Sequence, residues 1–273
     1  MNRLLAFTLT WNGEEKLKKL APSLVGAFSL VKDIIEPKWM VRDNGSVDNS
    51  IKYLRENYQG DMEIYSPGHN RDSFAAGMNS LAKLSKPSDD DLILLLNNDV
   101  IIHDHSSIRK MVELMYSANA DVVGARLLFT NTTKLQHAGV IFSHKYGDLP
   151  YHYRPGDESD KAAEKNRWFQ AVTAAVCIVR GSAFNRIGGM DEGYRWAFED
   201  IDMCLSIGKT GGKIAYCGAT SIYHEESASL KKNPVHKMFM KPNVDHFKSK
   251  WSGKYEIDHD KYLSNPGYKE IKV

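Results

Sequence analysis

The stretch LILLLNNDVII, residues 92–102, is an apolar run that three polar residues interrupt before it resumes. Five consecutive branched apolar residues predict a strand that is buried on both faces, as in a parallel sheet. A buried strand has no structural need to end on an acid, because an unpaired carboxylate inside a protein is costly. Asp99, at the end of this strand, is therefore the first candidate for a functional residue.

Segments with strand and helix patterns alternate around this stretch. Leu17, Leu20 and Leu24 share one helical face, and Ser46 is predicted to be the N-cap of the second helix. Strands are predicted at LLAFTLT (4–10), KWMVRD (38–43), MEIY (62–65), LILLL (92–96) and DVVGA (121–125). The alternation predicts an α/β protein with a parallel sheet and helices on both faces.

The pattern changes after about Ala125, where GVIF (139–142) and AVCIVR (175–180) indicate strands and regular helices are no longer predicted. The polar stretch 143–168 is predicted to be a mobile loop or a small excursion from the domain. Its tyrosines and Trp168 either contact a ligand or belong to a solvated surface loop. The segment Lys231–Lys254 is rich in lysine and aromatic residues, and it either contacts a membrane surface or packs across the domain.

Composition predicts an ordinary globular protein. Of 273 residues, 42% are hydrophobic and 26% are charged, so a core can form without disulfides or structural metal. The formal net charge of +2 gives no general attraction for nucleic acid, which is not an expected partner. Three cysteines without a CxxC spacing, and no apolar run near the roughly 20 residues of a membrane span, predict a cytoplasmic protein with reduced cysteines.

Polar residues follow four of the predicted strands. They are Thr10 to Gly13, Asp43 to Ser46, Gly68 with Asn70 and Arg71, and Asn97 to Asp99. Each group alone fits an ordinary turn, such as the turn and helix cap that DNGS favours. Ligands of open parallel sheets bind beyond the carboxyl ends of the strands. If these strands are neighbours, the four groups converge on one binding edge.

The chemistry of this edge is consistent with a diphosphate ligand. The chain has no Walker lysine motif and no GxGxxG, so a divalent cation on a carboxylate is the simplest way to neutralise a diphosphate. Asp99 is a candidate ligand of that cation, and Arg71 is a candidate for a charge-assisted contact. His224 follows an apolar run; it is either structural or completes a mixed nitrogen and oxygen site with Asp99.

A second acidic group lies in GGMDEGYRWAFEDIDMC, residues 188–204. Glu199, Asp200 and Asp202 place three carboxylates within four positions, where like charges raise one another's pKa, as in a general base. The alternative is an exposed helix start whose dipole favours acids. The apolar residues that follow favour acids facing a cleft.

In order, these segments resemble the family 2 glycosyltransferases of the GT-A fold, among them rhamnosyltransferase-like enzymes of bacterial glycan assembly. The resemblance runs from about Leu4 to Trp251. Its blocks are TLTWN (8–12), VRDNGSVDNS (41–50), NRDSFAAGMN (70–79), LLLNNDV (94–100), LQHAGVIF (135–142), RIGGMDEGYRWAFEDIDMCL (186–205), IYHEESAS (222–229) and HFKSKW (246–251).

The resemblance implies a GT-A fold, with a Rossmann-like, mostly parallel sheet flanked by helices. The expected domain covers residues 1–245, with a nucleotide-binding half at about 1–124, an acceptor half at about 125–230, and a C-terminal tail at 246–273. The donor would be a nucleotide-diphosphate sugar. The residues that the resemblance assigns to the donor are Thr10, Trp11, Asp43, Arg71, Asn79 and Asn98.

The resemblance also implies a metal and a catalytic base. Asp99 and His224 would hold a divalent cation, Mn²⁺ or Mg²⁺, although Asn97 stands where the first acid of the metal motif is usual. Asp200 would deprotonate the acceptor hydroxyl in an inverting displacement. The residues implied to position or bind the acceptor are Glu199, Asp202 and Trp196.

The acceptor implied by the resemblance is a surface glycan or a lipid-linked precursor, with peripheral membrane contact through the basic segment. One alternative is a protein or modified nucleobase acceptor. Another is a non-catalytic subunit that binds nucleotide sugars, although the presence of all three acids argues against it. A nucleotidyltransferase would need a glycine-rich basic loop near the N-terminus, which TWNGEEKLKK (10–19) does not provide.

Overall fold

A mixed β-sheet forms the centre of the protein in the computed structural model. The structure describes residues 1–68, 73–195, 197–225 and 234–272; in the last range, side chains are described from residue 240 onward. The strands are β1 (Arg3–Thr10), β2 (Glu36–Asp43), β3 (Met62–Tyr65), β4 (Leu92–Leu96), β5 (Val100–Ile101), β6 (Val122–Phe129), β7 (Leu135–His137), β8 (Val140–Phe142), β9 (Pro150–His152), β10 (Arg167–Phe169), β11 (Val176–Arg180) and β12 (Ile214–His224).

The described helices flank this sheet. They are α1 (Glu14–Ser29), α2 (Ser50–Tyr58), α3 (Phe74–Ser85), α4 (Ser107–Ser117), α5 (Gly181–Arg186), α6 (Glu199–Lys209), α7 (Pro234–Trp251) and α8 (His259–Ser264). The first four were expected. The expectation that regular helices stop after about Ala125 was wrong. Among the helices that it missed, α5 and α8 are too short to show a helical period in the sequence, and Pro242 interrupts the period of α7. None of the described helices combines the length and apolar character needed to cross a bilayer.

The strand order is β10-β12-β6-β11-β4-β1-β2-β3. The first four strands pair in parallel, and β12 is parallel to β6. β11, from the second half of the chain, is inserted between β4 and β6 and is antiparallel to both. Six strands therefore point the same way, and their carboxyl ends meet at one edge. The predicted α/β fold with a flanked central sheet is confirmed, but its second half is mixed rather than parallel.

The alternation of β1 divides the core between the two faces of the sheet. Leu4 and Ala6 face the layer that contains Leu17 of α1, while Leu5 and Phe7 face the layer that contains Met78 of α3. All these side chains are fully buried. Burial of a side chain of this size contributes about 1.5–3 kcal/mol. These two layers hold the strand ends in fixed positions.

The start of α2 differs from the prediction. The helix begins at Ser50, and the Asp48 carboxylate accepts a hydrogen bond from the Ser50 N–H at 3.0 Å. Ser46 is therefore not the N-cap. Its hydroxyl instead accepts a hydrogen bond from the Asn12 N–H at 2.8 Å, which ties the loop after β2 to the loop after β1.

The polar stretch 143–168 is folded rather than an extended loop. It contains β9, which pairs antiparallel with β8, and the first residues of β10. Within this stretch Tyr153 is buried and its hydroxyl donates to the carbonyl of Tyr262 at 3.1 Å. The hairpin of β8 and β9 closes one side of the carboxyl edge of the sheet.

The C-terminal residues are part of the core packing. The expected boundary between residues 245 and 246 lies inside α7, and Phe247, Trp251 and Tyr262 are buried. The Ile271 N–H donates to the carbonyl of Asn166 at 2.8 Å, next to β10. Phe247 and Trp251 therefore pack across the domain, which is one of the two alternatives given for Lys231–Lys254.

A buried carboxylate connects α7 to α6. Asp202, 2% exposed, accepts hydrogen bonds from the Trp251 indole at 2.6 Å and from the Tyr194 hydroxyl at 3.1 Å. The Lys250 ammonium lies 2.8 Å from the same carboxylate and 2.9 Å from Asp191. This network fixes the helix that carries the acidic group.

Asp202→Ala is expected to lower the free energy of unfolding by about 2–3 kcal/mol, because the Trp251 N–H and the Lys250 ammonium lose their shared acceptor. The matched control is Asp245→Ala. Asp245 is an exposed ion-pair partner of Lys241, both on α7, and its removal should change stability by less than about 0.5 kcal/mol. Urea unfolding measures both. Equal losses of unfolding free energy in the two variants would contradict the stabilising role given to the Asp202 network.

Candidate active site

A cavity of about 590 Å³ opens at the carboxyl edge of the sheet. One wall is built from the ends of β1, β2 and β4 and includes Asn44, Asn98 and Asp99. The facing wall comes from the first turn of α6 and from the β8–β9 hairpin. Its polar members are Tyr151, His152, Glu199 and Asp200. The volume is within the range of about 300–1,000 Å³ that small-molecule sites occupy.

The three strand ends are in direct contact. The Asn44 N–H donates to the carbonyl of Thr10 at 2.9 Å, and the Asn98 side chain donates to the Thr10 hydroxyl at 3.1 Å. A Cβ on Gly13 would lie 2.7 Å from both the Asn98 and the Thr10 side chains, so only glycine allows this approach. The convergence predicted for four strand ends is confirmed for these three; of the fourth group, Asn70 and Arg71 lie outside the described residues.

The predicted donor residues Thr10, Trp11 and Asp43 lie together beside this wall. Asp43 is 4% exposed, and its two oxygens accept hydrogen bonds from the Ser46 N–H at 2.9 Å and from the Ser66 hydroxyl at 3.2 Å. Trp11 is 53% exposed at the end of β1. A fixed carboxylate next to an open aromatic ring is suited to holding a nucleobase.

Asp99 is the centre of the charged contacts at this edge. One oxygen is 3.1 Å from His224 Nε2, and the other accepts a hydrogen bond from the Lys16 ammonium at 3.1 Å. Burial alone would raise the pKa of Asp99, but the hydrogen bond from His224 and the charges of His224 and Lys16 outweigh it and lower that pKa. Asp99 therefore remains a carboxylate at neutral pH.

The His224 ring is held by its other nitrogen. Nδ1 lies 2.6 Å from the Gln136 amide oxygen, which can only accept, so Nδ1 carries a proton and Nε2 is the ring nitrogen that faces Asp99. The Glu225 N–H also donates to the Asp99 carbonyl at 2.8 Å. These contacts join the end of β12 to the residues after β4.

The pair Asp99 and His224 fits a hard divalent cation. A carboxylate is a usual ligand of Mg²⁺ and Mn²⁺, which take further ligands from water and phosphate oxygens, and the His224 nitrogen would be an additional ligand. Among the described residues no group of three or more histidine, cysteine or acidic side chains is arranged to hold a metal. A cation bound here would therefore need coordinating oxygens from a bound small molecule in addition to Asp99 and His224.

The facing wall presents the acids at the start of α6. The Asp200 carboxylate accepts hydrogen bonds from the N–H groups of Ala174 at 3.0 Å and Ile201 at 2.8 Å, which fix its orientation. Glu199 differs, because its Oε2 atom is buried without a hydrogen-bond partner in the described part of the chain. Burial, followed by the nearby Asp200 charge, raises the pKa of Glu199 to about 8, so Glu199 is mostly protonated at neutral pH.

Strained backbone precedes these acids. Ala197 and Phe198 have φ of 67° and 74°, in the left-handed region that costs a non-glycine residue about 1–2 kcal/mol. The Phe198 ring packs against Phe247 at 5.1 Å between ring centroids, which holds it in place. Strain of this kind is commonly found at functional sites.

Two of the predicted site residues, Asn79 and Asp202, lie away from the cavity, and two others are not described. Arg71 and Trp196 fall outside the described residues. Asn79 does not line the cavity; its amide donates to the Met190 carbonyl at 2.9 Å and to Glu192 at 2.8 Å, which anchors the loop before α6. Asp202 faces α7 and is occupied by the network described above. The geometry gives these two residues positioning roles, because their polar atoms are already bonded.

Sequence reasoning missed several cavity residues. Lys16 sits in a helix with an ordinary apolar period, so nothing marks it as a partner of Asp99. Gln136, which does not line the cavity but holds the His224 ring, lies in a block of the resemblance that assigns no role to it. Tyr151 and His152 come from the polar stretch, whose tyrosines were considered as ligand contacts. Arg195 also lines the cavity.

Comparisons with known proteins agree with this geometry. A sequence model of the family described as "Glycosyltransferase like family 2" matches residues 46–236. The rhamnosyltransferase WbbL of Escherichia coli is 26% identical over 220 residues, which are 77% of this chain and 79% of WbbL. The O-antigen biosynthesis protein RfbC of Myxococcus xanthus is 29% identical over 55% of this chain, but the match spans only 12% of RfbC.

A mannosyltransferase from Pyrobaculum calidifontis, solved in complex with GDP-Man and Mn²⁺, has a similar structure. The TM-score is 0.65 over 96% of this chain and 69% of that one, at 14% sequence identity. This likeness concerns the fold and supports a GT-A arrangement of the sheet and helices.

Glu199→Gln is expected to change how stability depends on pH. The folded protein keeps a proton on Glu199 up to about pH 8, whereas the unfolded chain releases it near its ordinary pKa of 4.5. The folded wild type therefore loses stability as pH rises from about 5 to 8, and the glutamine variant lacks this loss. Thermal midpoints of both proteins across this range measure the difference.

The exposed Glu36→Gln serves as the control and should follow the wild-type curve. Parallel curves for wild type and Glu199→Gln would show that Glu199 is ionised in the folded protein.

Proposed function

This chain belongs to glycosyltransferase family 2, and on that premise we propose that it is an inverting, metal-dependent enzyme that moves a sugar from a nucleotide-diphosphate sugar to a hydroxyl acceptor. One observation carries the proposal. The side chains of Asp99 and His224 and the oriented carboxylate of Asp200 line the same cavity from facing walls. If a donor and an acceptor bind between these walls, their reacting atoms would lie between the Asp99 and His224 pair on one side and Asp200 on the other.

Asp200 is assigned as the general base. Its two backbone hydrogen bonds hold the carboxylate in one orientation and leave further lone pairs free to accept a proton. Asp200 would take the proton of the acceptor hydroxyl as that oxygen forms a bond to the anomeric carbon. The bond from this carbon to the diphosphate oxygen breaks in the same displacement, which inverts the anomeric configuration.

Asp99 and His224 are assigned to the leaving diphosphate. A bound Mn²⁺ or Mg²⁺ would supply positive charge to the departing phosphate oxygens. Lys16, whose ammonium already contacts Asp99, would add positive charge at the same edge. Thr10, Trp11, Asp43 and Asn98 would hold the nucleoside part of the donor, with Arg71 as a further candidate.

Glu199 is assigned to the acceptor. Because its pKa is raised, its carboxyl can donate a hydrogen bond to a sugar oxygen at neutral pH, whereas an ionised carboxylate could only accept. The unbonded Oε2 atom is consistent with a partner supplied by a ligand. Trp196 remains a proposed acceptor contact.

The acceptor is proposed to be a surface glycan or its lipid-linked precursor. RfbC is named for O-antigen biosynthesis and WbbL for rhamnosyl transfer, which supports a role in glycan assembly. The chain spans only 12% of RfbC, so the pathway of that protein is not carried over. A protein or nucleobase acceptor has no comparable support in the cavity.

Asp200→Asn is expected to reduce kcat by about 10²–10⁴-fold, the usual contribution of a positioned general base. Donor affinity should stay within about twofold of wild type, because the donor residues lie on the facing wall and the asparagine oxygen can still accept one of the two backbone N–H groups that Asp200 binds. Rates are measured by release of the nucleoside diphosphate, and affinity by calorimetry.

The exposed Asp90→Asn is the matched control and should have wild-type activity. NMR of the product should show an anomeric configuration opposite to that of the donor. A fully active Asp200→Asn, or retention of configuration, would contradict the proposal.

A further inference from the structure

A second cavity, of about 720 Å³, lies at the edge of the sheet opposite the candidate active site. It is bounded by β10, the start of β12, and the C-terminal ends of α6 and α7. α6 has 11 residues and begins with Glu199 at the first cavity, while Lys209 at its other end lines the second. At 1.5 Å per residue the helix separates the two sites by roughly 15 Å.

The interior of the second cavity is apolar. Its main side chains are Trp168, Phe169, Leu205, Ile214 and Trp251. An apolar lining of this size is suited to hydrocarbon, since the gain is roughly 25 cal/mol for each Å² removed from water.

The polar side chain Gln170 also lines this cavity, but its amide is already bonded. Its Nε2 donates to the Glu256 carbonyl at 2.8 Å and to Asp258 at 2.7 Å, and its Oε1 accepts from the Glu256 N–H at 2.7 Å. A sugar or a nucleobase would need hydrogen-bonding groups that this interior does not offer among the described residues. The lining therefore favours an alkyl chain over either of them.

The rim of the cavity is basic. Four lysines line it, Lys209, Lys213, Lys254 and Lys269, and none of the described lining residues is acidic. Lys269 has a carboxylate partner, Glu256, at 3.6 Å. In the described part of the chain, Lys209 and Lys213 form no ion pair with a carboxylate; the Lys213 ammonium lies 5.7 Å from the centre of the Trp168 ring. Such a rim attracts an anion.

The C-terminal end of α6 opposes an anion only weakly. A helix C-terminus carries partial negative charge on its free carbonyls. Here the carbonyl of Ile207 accepts the N–H groups of Thr210 and Gly212 at 3.0 Å, and the carbonyl of Gly208 accepts that of Gly211 at 2.9 Å. These bonds satisfy the carbonyls of Ile207 and Gly208. The Asp121 carboxylate, which accepts the Lys213 N–H at 2.9 Å, lies 3.5 Å from Arg186, so the lysines give the rim a net positive charge.

We propose that the second cavity binds a phosphate-bearing amphiphile, with its alkyl chain between the tryptophans and its phosphate among the lysines. This site is separate from the transfer reaction proposed above and does not depend on it. The ligand is identified by its chemistry, an alkyl chain joined to a phosphate monoester.

Calorimetry with decyl phosphate below its micelle concentration tests the proposal on the full chain. We expect saturable binding to wild type and to Asp200→Asn alike, which separates this site from catalysis. Inorganic phosphate, which lacks the chain, and decyl maltoside, which lacks the charge, should each bind at least tenfold more weakly.

Two variants locate the site. Lys209→Glu combined with Lys213→Glu should weaken decyl phosphate binding at least tenfold, while the matched exposed pair Lys32→Glu and Lys83→Glu should leave it unchanged. Gly208→Leu should fill the cavity and block binding without unfolding the protein. A Cβ at Gly208 meets only Ile214 Cδ1 at 3.7 Å, an ordinary contact, and leucine favours the helix.

Several results would overturn the proposal. One is unchanged binding in either cavity variant, and another is equal binding of decyl maltoside. A third is recruitment of the protein to anionic phosphatidylglycerol vesicles without any binding of free decyl phosphate, because that would indicate attraction to a charged surface rather than occupancy of a cavity.

Discussion

The contact of the Asp99 carboxylate with the His224 ring and the Lys16 ammonium is the constraint on which the site depends. A carboxylate that is 8% exposed needs partners, and these partners come from β12 and α1, two elements far apart in sequence. Their convergence on the end of β4 brings the two halves of the chain together at one edge. The buried apolar residues before and after Asn97, Asn98 and Asp99 hold these three residues at the carboxyl edge of the sheet, where the contact forms.

The insertion of β11 between β4 and β6 explains how the facing wall is placed. The Asn97 N–H donates to the carbonyl of Ala175 at 2.9 Å just before β11 begins, and the Ala174 N–H donates to Asp200. The residues before β11 therefore contact the Asn97–Asp99 segment on one side and the proposed base, Asp200, on the other. Small residues there, including Ala174 and Ala175, leave room for a ligand between the walls.

The sequence alone predicted the strand ends correctly because each is a local pattern of a buried run followed by turn residues. It also brought Asp99 and His224 together, through a resemblance that orders distant blocks. It did not predict the contacts of Asp202, because an acid that faces Trp251, 49 residues later, and an acid that faces a cleft have the same local pattern. The contact of Asn79 with Met190, 111 residues later, likewise has no local pattern. Lys16 was missed for the same reason, and the antiparallel insertion of β11 is a long-range pairing without a local signal.

The central claim is that Asp99 and His224 form a cation-dependent site for a nucleoside diphosphate. Its most direct test is the thermal midpoint of the protein with GDP, UDP or dTDP, each with and without Mn²⁺. Binding to the folded state alone stabilises it by about 2.7 kcal/mol at 100 times the dissociation constant. We predict that one nucleotide raises the midpoint with Mn²⁺ present and that Asp99→Asn abolishes the rise. A rise that is the same without Mn²⁺, or that survives in Asp99→Asn, would contradict the account.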